Sequence, residues 1–358
     1  MGTLLIHPAM SYNHLNYDPF RLKFSGAVGT GGIGTGRFFL LNGNHTLGRE
    51  ESRGGHFLEI HDYCKQHIIL YYVKKLMGPS FSVIPVGKLG DDEPGHLLYD
   101  EMIADGFIMK RIEKVPGAAT LFSFCFFYPD GSGGNLTTDN SASSLVNSET
   151  IEKAESDIRQ AGSRGMIVAA PEVPLGARIR LIELGKKYGS FCAASFTSGE
   201  MDYVLKNNII KSIDLLSMNM DEAEATAGMK SGETSAENIV SESVRRLNEL
   251  NGSLNIAITA GKEGSWCWDG KNLNKFPAAK VRAVGTAGAG DAFFAGLLCS
   301  LSLGLDLFTA QQLATLTAGF SVTSPHTINR DINRSSLYNF LGSSGLNVSG
   351  SVKNLLSE

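Results

Sequence analysis

Gly285-Thr286-Ala287-Gly288-Ala289-Gly290-Asp291 runs into an apolar helical pattern at Phe293, Phe294, Leu297, Leu298 and Leu301. The small residues leave peptide N–H groups unshielded at a helix start, where first-turn donors lack partners and the dipole is positive. The stretch therefore reads as an anion site, with the amides of Gly288, Ala289 and Gly290 as donors. Asp291 adds a carboxylate at the same place, and beside a bound phosphate that pair is repulsive unless the acid has a task. Taking the proton from a hydroxyl that attacks phosphorus is such a task. The alternative is a tight strand-to-helix turn, with Gly for packing and Asp as an ordinary first-turn acid.

The elements that must hold this acid follow a regular alternation. From Glu149 onward, helical patterns at 149–161, 175–188 and 199–208 precede strands at 165–170, 190–196 and 213–218. Strands separated by helices of this length predict a parallel sheet covered on both faces. Right-handed crossovers then bring the strand C-termini to one rim, where ligands bind in such sheets. Two more motifs fall on that rim. Asn219-Met220-Asp221-Glu222 follows the 213–218 strand and reads as a capping box. Thr259-Ala260-Gly261-Lys262-Glu263-Gly264 follows the 254–259 strand and reads as a turn.

The N-terminal half is less regular. Residues 1–21 lack periodicity and read as a surface extension. A strand at 22–28 runs into Gly29-Thr30-Gly31-Gly32-Ile33-Gly34, a G-x-G-x-x-G match that raises a dinucleotide site. Gly43 comes too soon for the helix of that unit, although Glu50 falls about twenty residues on, where the ribose acid belongs. Ile60, Tyr63, Cys64, His67, Ile68, Tyr71 and Leu76 have helical spacing, which puts His67 on an apolar face as a core histidine. A strand at 82–86 leads to Gly87-Lys88-Leu89-Gly90-Asp91-Asp92. Between Phe107 and Thr138, aromatic runs end in Pro129-Asp130-Gly131, which is hairpin chemistry.

Thr286 to Asp291 matches the D-T-x-G-A-G-D signature at every fixed position after the first, so the chain resembles the ribokinase-like (PfkB) carbohydrate kinases. N-x-x-E at Asn219–Glu222 and T-x-G-x-x-G at Thr259–Gly264 precede it in the family's order, and the resemblance covers residues 22–325. It implies an α/β fold with a doubly wound, mostly parallel sheet and a small β-sheet lid built from segments near 30–55 and 107–138. The implied reaction transfers the γ-phosphoryl group of ATP to a hydroxyl of a small sugar, with Asp291 as base and sugar contact. Asn219 and Glu222 would hold hydrated Mg²⁺, while Thr259, Gly261, Gly264 and Thr286 would line the nucleotide. Ala318 to Thr323 would lie near the adenine.

The resemblance also implies that Gly31, Gly32, Gly54 and Gly55 let the sugar approach the backbone, with the Gly54-Gly55 pair opening a helix. A homodimer through the lid belongs to the same pattern. Gly285 stands where the family has an Asp that helps bind a monovalent cation, which leaves potassium dependence open. The family's Asp after the first strand is also absent, and Asn44, Arg49 or Glu50 are the candidates to replace it. Arg49 or Arg53 facing the pocket would favour a phosphorylated or acidic sugar. A protein of the same fold that binds sugar or nucleotide without turnover is the rival reading.

At 358 residues the chain can bury a large core. The expected organisation is an extension at 1–21, one kinase domain at 22–330 and a tail at 331–358. With 32 Lys+Arg against 36 Asp+Glu the net charge is −4, which offers no basic field to nucleic acid or anionic membrane. The five cysteines are scattered without a C-x-x-C pair and read as reduced core thiols. There is no secretory pattern and no apolar run long enough to span a bilayer, so the expected location is the cytoplasm.

Overall fold

The computed structural model describes residues 13–130 and 132–357. In chain order its strands are β1 (Gly26–Thr30), β2 (Gly34–Leu41), β3 (Gly55–Tyr63), β4 (Ser82–Gly90), β5 (Ile112–Val115), β6 (Leu121–Phe127), β7 (Gly133–Thr137), β8 (Gly165–Ala169), β9 (Phe191–Ala194), β10 (Leu215–Asn219), β11 (Asn255–Thr259), β12 (Ser265–Trp268) and β13 (Leu273–Phe276). The helices are α1 (Lys65–Met77), α2 (Glu93–Ala104), α3 (Ser148–Glu152), α4 (Glu155–Ala161), α5 (Leu175–Lys187), α6 (Ser198–Lys206), α7 (Met220–Ala227), α8 (Ala236–Leu250), α9 (Ala289–Ser302), α10 (Leu307–Ser321), α11 (Arg334–Ser344) and α12 (Gly350–Leu356).

Nine strands form the large sheet in the order β13-β12-β11-β10-β9-β8-β1-β4-β5. From β11 to β5 the neighbours are parallel, and β12 and β13 extend one edge antiparallel. Central strands such as β8, Gly-Met-Ile-Val-Ala, are buried at every position because both faces are covered. One face packs a core with α1, α2 and α9 to α12, through residues such as Ile69, Met102, Phe294, Leu313 and Leu337. The other packs α3 to α8, through residues such as Ile158, Leu181, Met201 and Leu247. This is the doubly wound architecture expected. Its consequence for chemistry is that Asn219 and Thr259 end adjacent parallel strands in direct register.

The remaining four strands form a separate sheet in the order β3-β2-β6-β7. Its β2–β6 pair is parallel, whereas β2–β3 and β6–β7 are antiparallel. The hairpin expected between Phe107 and Thr138 is β6 and β7 of this sheet.

Two local expectations need correction. Ile60 and Tyr63 belong to β3, and the helix starts only at Lys65, so Gly54-Gly55 opens a strand. The apolar spacing ran unbroken across a strand-to-helix junction. The described part of the N-terminal extension does not merely lie on the surface. Leu15 is fully buried, its N–H donates to the Leu76 carbonyl, and Asn16 donates to Leu355 in α12. Residues 13–21 thus include an apolar anchor, Leu15, that an aperiodic sequence hides. Residues 1–12 of that segment lie outside the described ones.

Candidate active site

The glycine turn and α9 are built as the sequence requires. Gly288 is the N-cap of α9 with φ +80°, a left-handed conformation that glycine adopts without a Cβ penalty. A Cβ there would also lie 2.5 Å from the Thr327 carbonyl. Asp291 follows in the first turn, 15 % exposed at its side chain. Burial pushes its carboxyl above the usual carboxylate range, and the ammonium of Lys65, 3.8 Å away, opposes that rise. Ala289 N–H donates back to the Thr286 carbonyl at 3.3 Å, which closes the turn.

Around this turn lies a cavity of about 970 Å³ on the C-terminal rim of the large sheet. Asp291, Gly288, Ala289, Gly290 and Thr286 line it together with Asn219, Glu222, Thr259, Gly261 and Gly264. Three motifs far apart in sequence therefore converge on one crevice. Ala318, Gly319 and Val322 of the α10 segment line it as well.

Asn219 and Glu222 form the capping box in full. Asn219 Oδ1 accepts from the Glu222 N–H at 3.0 Å, and Glu222 Oε2 accepts from the Asn219 N–H at 2.5 Å. Burial raises the Glu222 carboxyl, against the lowering effect of that N–H bond. One carboxylate and one amide oxygen lining the cavity suit a hydrated divalent cation, which needs only one or two protein carboxylates.

The proposed glycines of the N-terminal half do not join this cavity lining. Gly31 and Gly32 are buried, and the protein itself fills the space their missing side chains leave: Ala170 at Gly31, and Glu172 and Leu121 at Gly32. Gly54 and Gly55 sit at the far end of β3 beside Asn42, Leu40 and Phe39. The candidates for the missing acid are also elsewhere. Asn44 accepts from the Asp130 N–H, and Arg53 is clamped on Glu51. Glu51 is thereby held well below the ordinary carboxylate range, to about 2. Arg49 and Glu50 lie on the same exposed loop.

Two groups at the site escaped the sequence reading. Lys65 lines the cavity from the start of α1. Glu172, just past the C-terminal end of β8, accepts from the Lys65 backbone N–H at 2.8 Å. Burial pushes the Glu172 carboxyl up to about 7, against the lowering effect of Lys65. Its position beyond a parallel strand was the available signal.

His67 is a core histidine, packed edge-on against Tyr63 and Phe107. Its ring comes near Glu101 and Asp105, but those acids are engaged by Arg330 and Lys75. Among the described residues no helix is long and apolar enough to cross a membrane.

Residues 72–333 match a family model described as pfkB family carbohydrate kinase. The chain is 28 % identical over 250 residues, 68 % of its own length and 77 % of the relative's, to a deoxyribokinase of Salmonella typhi. It is 26 % identical over 233 residues, 63 % of its length and 58 % of the relative's, to a ribokinase of Arabidopsis thaliana. Among solved structures, the ribokinase of Giardia lamblia superposes with a TM-score of 0.77 at 18 % identity, over 89 % of this chain and 98 % of that one. The Arabidopsis thaliana ribokinase complexed with ribose and ATP gives 0.69 at 19 % identity, over 89 % and 99 %.

Proposed function

The chain belongs to the pfkB family of carbohydrate kinases, phosphotransferases that act on a sugar hydroxyl, and from that premise we propose an ATP-dependent reaction in the rim cavity with Asp291 as base. The single observation that carries the reading is the convergence of Asp291, the Gly288–Gly290 turn, Asn219, Glu222 and Thr259 on one crevice. ATP would lie along Thr259, Gly261, Gly264 and Thr286, with its base toward Ala318 and Gly319. Among the relatives, a ribokinase of Cryptococcus neoformans was solved with ADP.

Asp291 accepts the proton of the acceptor hydroxyl as its oxygen closes on phosphorus. Of the three turn amides, Ala289 N–H is engaged by the Thr286 carbonyl, so those of Gly288 and Gly290 would meet the charge that develops on the phosphoryl oxygens, a preorganised effect that needs no reorientation during reaction. Asn219 and Glu222 would hold Mg²⁺ through its waters, and the ion when bound neutralises charge on the phosphates. No step runs through a monovalent cation. Gly285 supplies no side-chain oxygen, and a Cβ there would press on the carbonyls of both Ser324 and Pro325 at 3.0 Å.

The acceptor enters beside Lys65 and Asp291, because the space over Gly31 and Gly32 is already filled. The small sheet would close over this end as a lid. Pairing of two copies through its outer face, which exposes Phe57 and Leu136, belongs to the same reading, and sedimentation tests it. ADP release across a panel of sugars, sugar phosphates and nucleosides, with Asp291→Asn as control, tests the function. Ligand-induced stabilisation without ADP from any acceptor would instead favour a sensor of the same fold.

A further inference from the structure

Lys65 occupies a place that helix physics disfavours. It is the first residue of α1, where the positive end of the dipole repels a cation. The carboxylates around it account for its presence. Its Nζ lies 3.8 Å from Asp291 Oδ2, its backbone N–H donates to Glu172 Oε2 at 2.8 Å, and Glu222 lies within reach of its charge. The residue at the N-cap, Cys64, makes no side-chain cap, so Glu172 satisfies a first-turn donor of α1 from another element. Glu172 does this from a left-handed backbone, φ +74°, which a residue with a side chain rarely adopts. Strain at one residue, a cap supplied from outside the helix and a cation in an unfavourable place thus fall on one chain of contacts. That chain ends on Asp291.

We propose that Lys65 is a positioning residue for the base: anchored through its backbone by Glu172, its ammonium holds Asp291 as an oriented carboxylate at the acceptor end of the cavity. The proposal rests on the reading of Asp291 as base, and it adds what keeps that base usable. A carboxyl this enclosed tends toward its neutral form, and a neutral acid cannot take a proton. The groups that face Asp291 are Lys65 and Tyr72 from α1, Glu172 from the turn after β8 and Glu222 from α7. Lys65 is the only cation in that set. The acids and the tyrosine favour protonation of Asp291, so removal of the ammonium leaves its charge supported only by the positive end of α9 and by Lys262 and Arg282, which line the cavity without pairing with it.

The test is direct titration of the Asp291 carboxyl carbon in full-length protein labelled with ¹³C at aspartate, the signal being identified by its loss in Asp291→Asn. In Lys65→Met the titration midpoint should rise by about one pH unit or more. Lys65→Gln, which keeps a polar side chain of similar reach without the charge, should give the same rise, and Lys65→Arg should reverse it. Turnover should fall in the Met and Gln variants while KM for ATP stays within about two-fold. An unchanged midpoint in either uncharged variant overturns the proposal, as does a rise that Lys65→Arg fails to reverse. Because the titration needs no acceptor, wild-type protein that releases no ADP with any sugar would sink the kinase reading and leave the Lys65 result to stand by itself.

Discussion

Asp291 and Asp62 are both enclosed carboxyls whose burial raises them above the ordinary range, and their surroundings differ in kind. Asp62, in the small sheet, is 5 % exposed and reaches about 6; it lies beside Ser123, Thr327 and Cys125, whose thiol donates to its Oδ2 at 3.8 Å. It lies where β3 meets β6 and the 327 turn, enclosed by the protein itself. Asp291, on the rim of the large sheet, faces a cavity and has one half-exposed lysine at 3.8 Å. The difference separates an acid that holds a structure together from one kept available. Enclosure alone does not mark a site, whereas enclosure with an open side and one opposing charge does.

That contrast is broken most severely at Asp291 itself. Asp291→Asn should lower turnover by about 10²- to 10⁴-fold with little change in melting temperature, the loss typical of a positioned base. Asp62→Asn should do the reverse, changing stability more than turnover. ADP release and thermal melting on the two variants, side by side, decide the matter. Equal turnover losses would erase the distinction.

The anion turn comes next. Gly288→Ala forces a Cβ into a left-handed residue and to 2.5 Å from the Thr327 carbonyl. The backbone term costs about 1–2 kcal/mol and the overlap about 1–3 kcal/mol more. The turn should shift, so turnover falls along with the melting temperature. On the neighbouring motif, Asn219→Ala removes half of the capping box and should cost about 1 kcal/mol of stability. If Asn219 also helps to hold the divalent ion, the Mg²⁺ concentration for half-maximal activity rises as well. Stability loss without that rise would leave only the cap.

A smaller effect follows from Glu172. Its carboxyl is raised from 4.5 in its ordinary state to about 7 in the folded protein, so between those values the folded chain holds a proton that the unfolded chain has released. The contribution of Glu172 to stability is therefore complete below pH 4.5 and is lost as pH rises through about 7. Glu172→Gln cannot lose it. Between pH 5 and pH 8 the wild-type melting temperature should fall further than that of Glu172→Gln, while the contributions of Asp62 and His67 are common to both proteins and cancel. A parallel pair of curves would refute the assignment.

What could be read from the sequence divides along the same line. On the large sheet, motifs name residues whose type is forced locally: glycine at φ +80°, and Asn with Glu three residues on to close a capping box. Strand and helix periods were clean there because each strand lies between covered faces. Lys65 and Glu172 were not legible, since each matters only through partners brought near by the fold. A lysine opening a helix means little until Asp291 is known to lie across the crevice. In the small sheet the period itself misled. Tyr63 and Cys64 stand on either side of the β3–α1 junction, and the register of β2 against β3 shifts between Gly36 and Phe38, so no single spacing describes the region.

The weakest perturbation tests the correction made there. Gly54 and Gly55 read as a pair, but their surroundings differ. A Cβ at Gly54 would meet only Asn42 Nδ2 at 3.4 Å, an ordinary contact, and its backbone is not in the left-handed region. A Cβ at Gly55 would run into the Leu40 carbonyl and the Phe39 ring. Gly54→Ala should therefore leave both turnover and stability within about 0.5 kcal/mol of wild type, whereas Gly55→Ala should lower the melting temperature and leave KM for the acceptor unchanged. If Gly54→Ala instead raised that KM, the sugar would lie against this corner of the small sheet, and the acceptor end of the cavity would have to be moved away from Lys65.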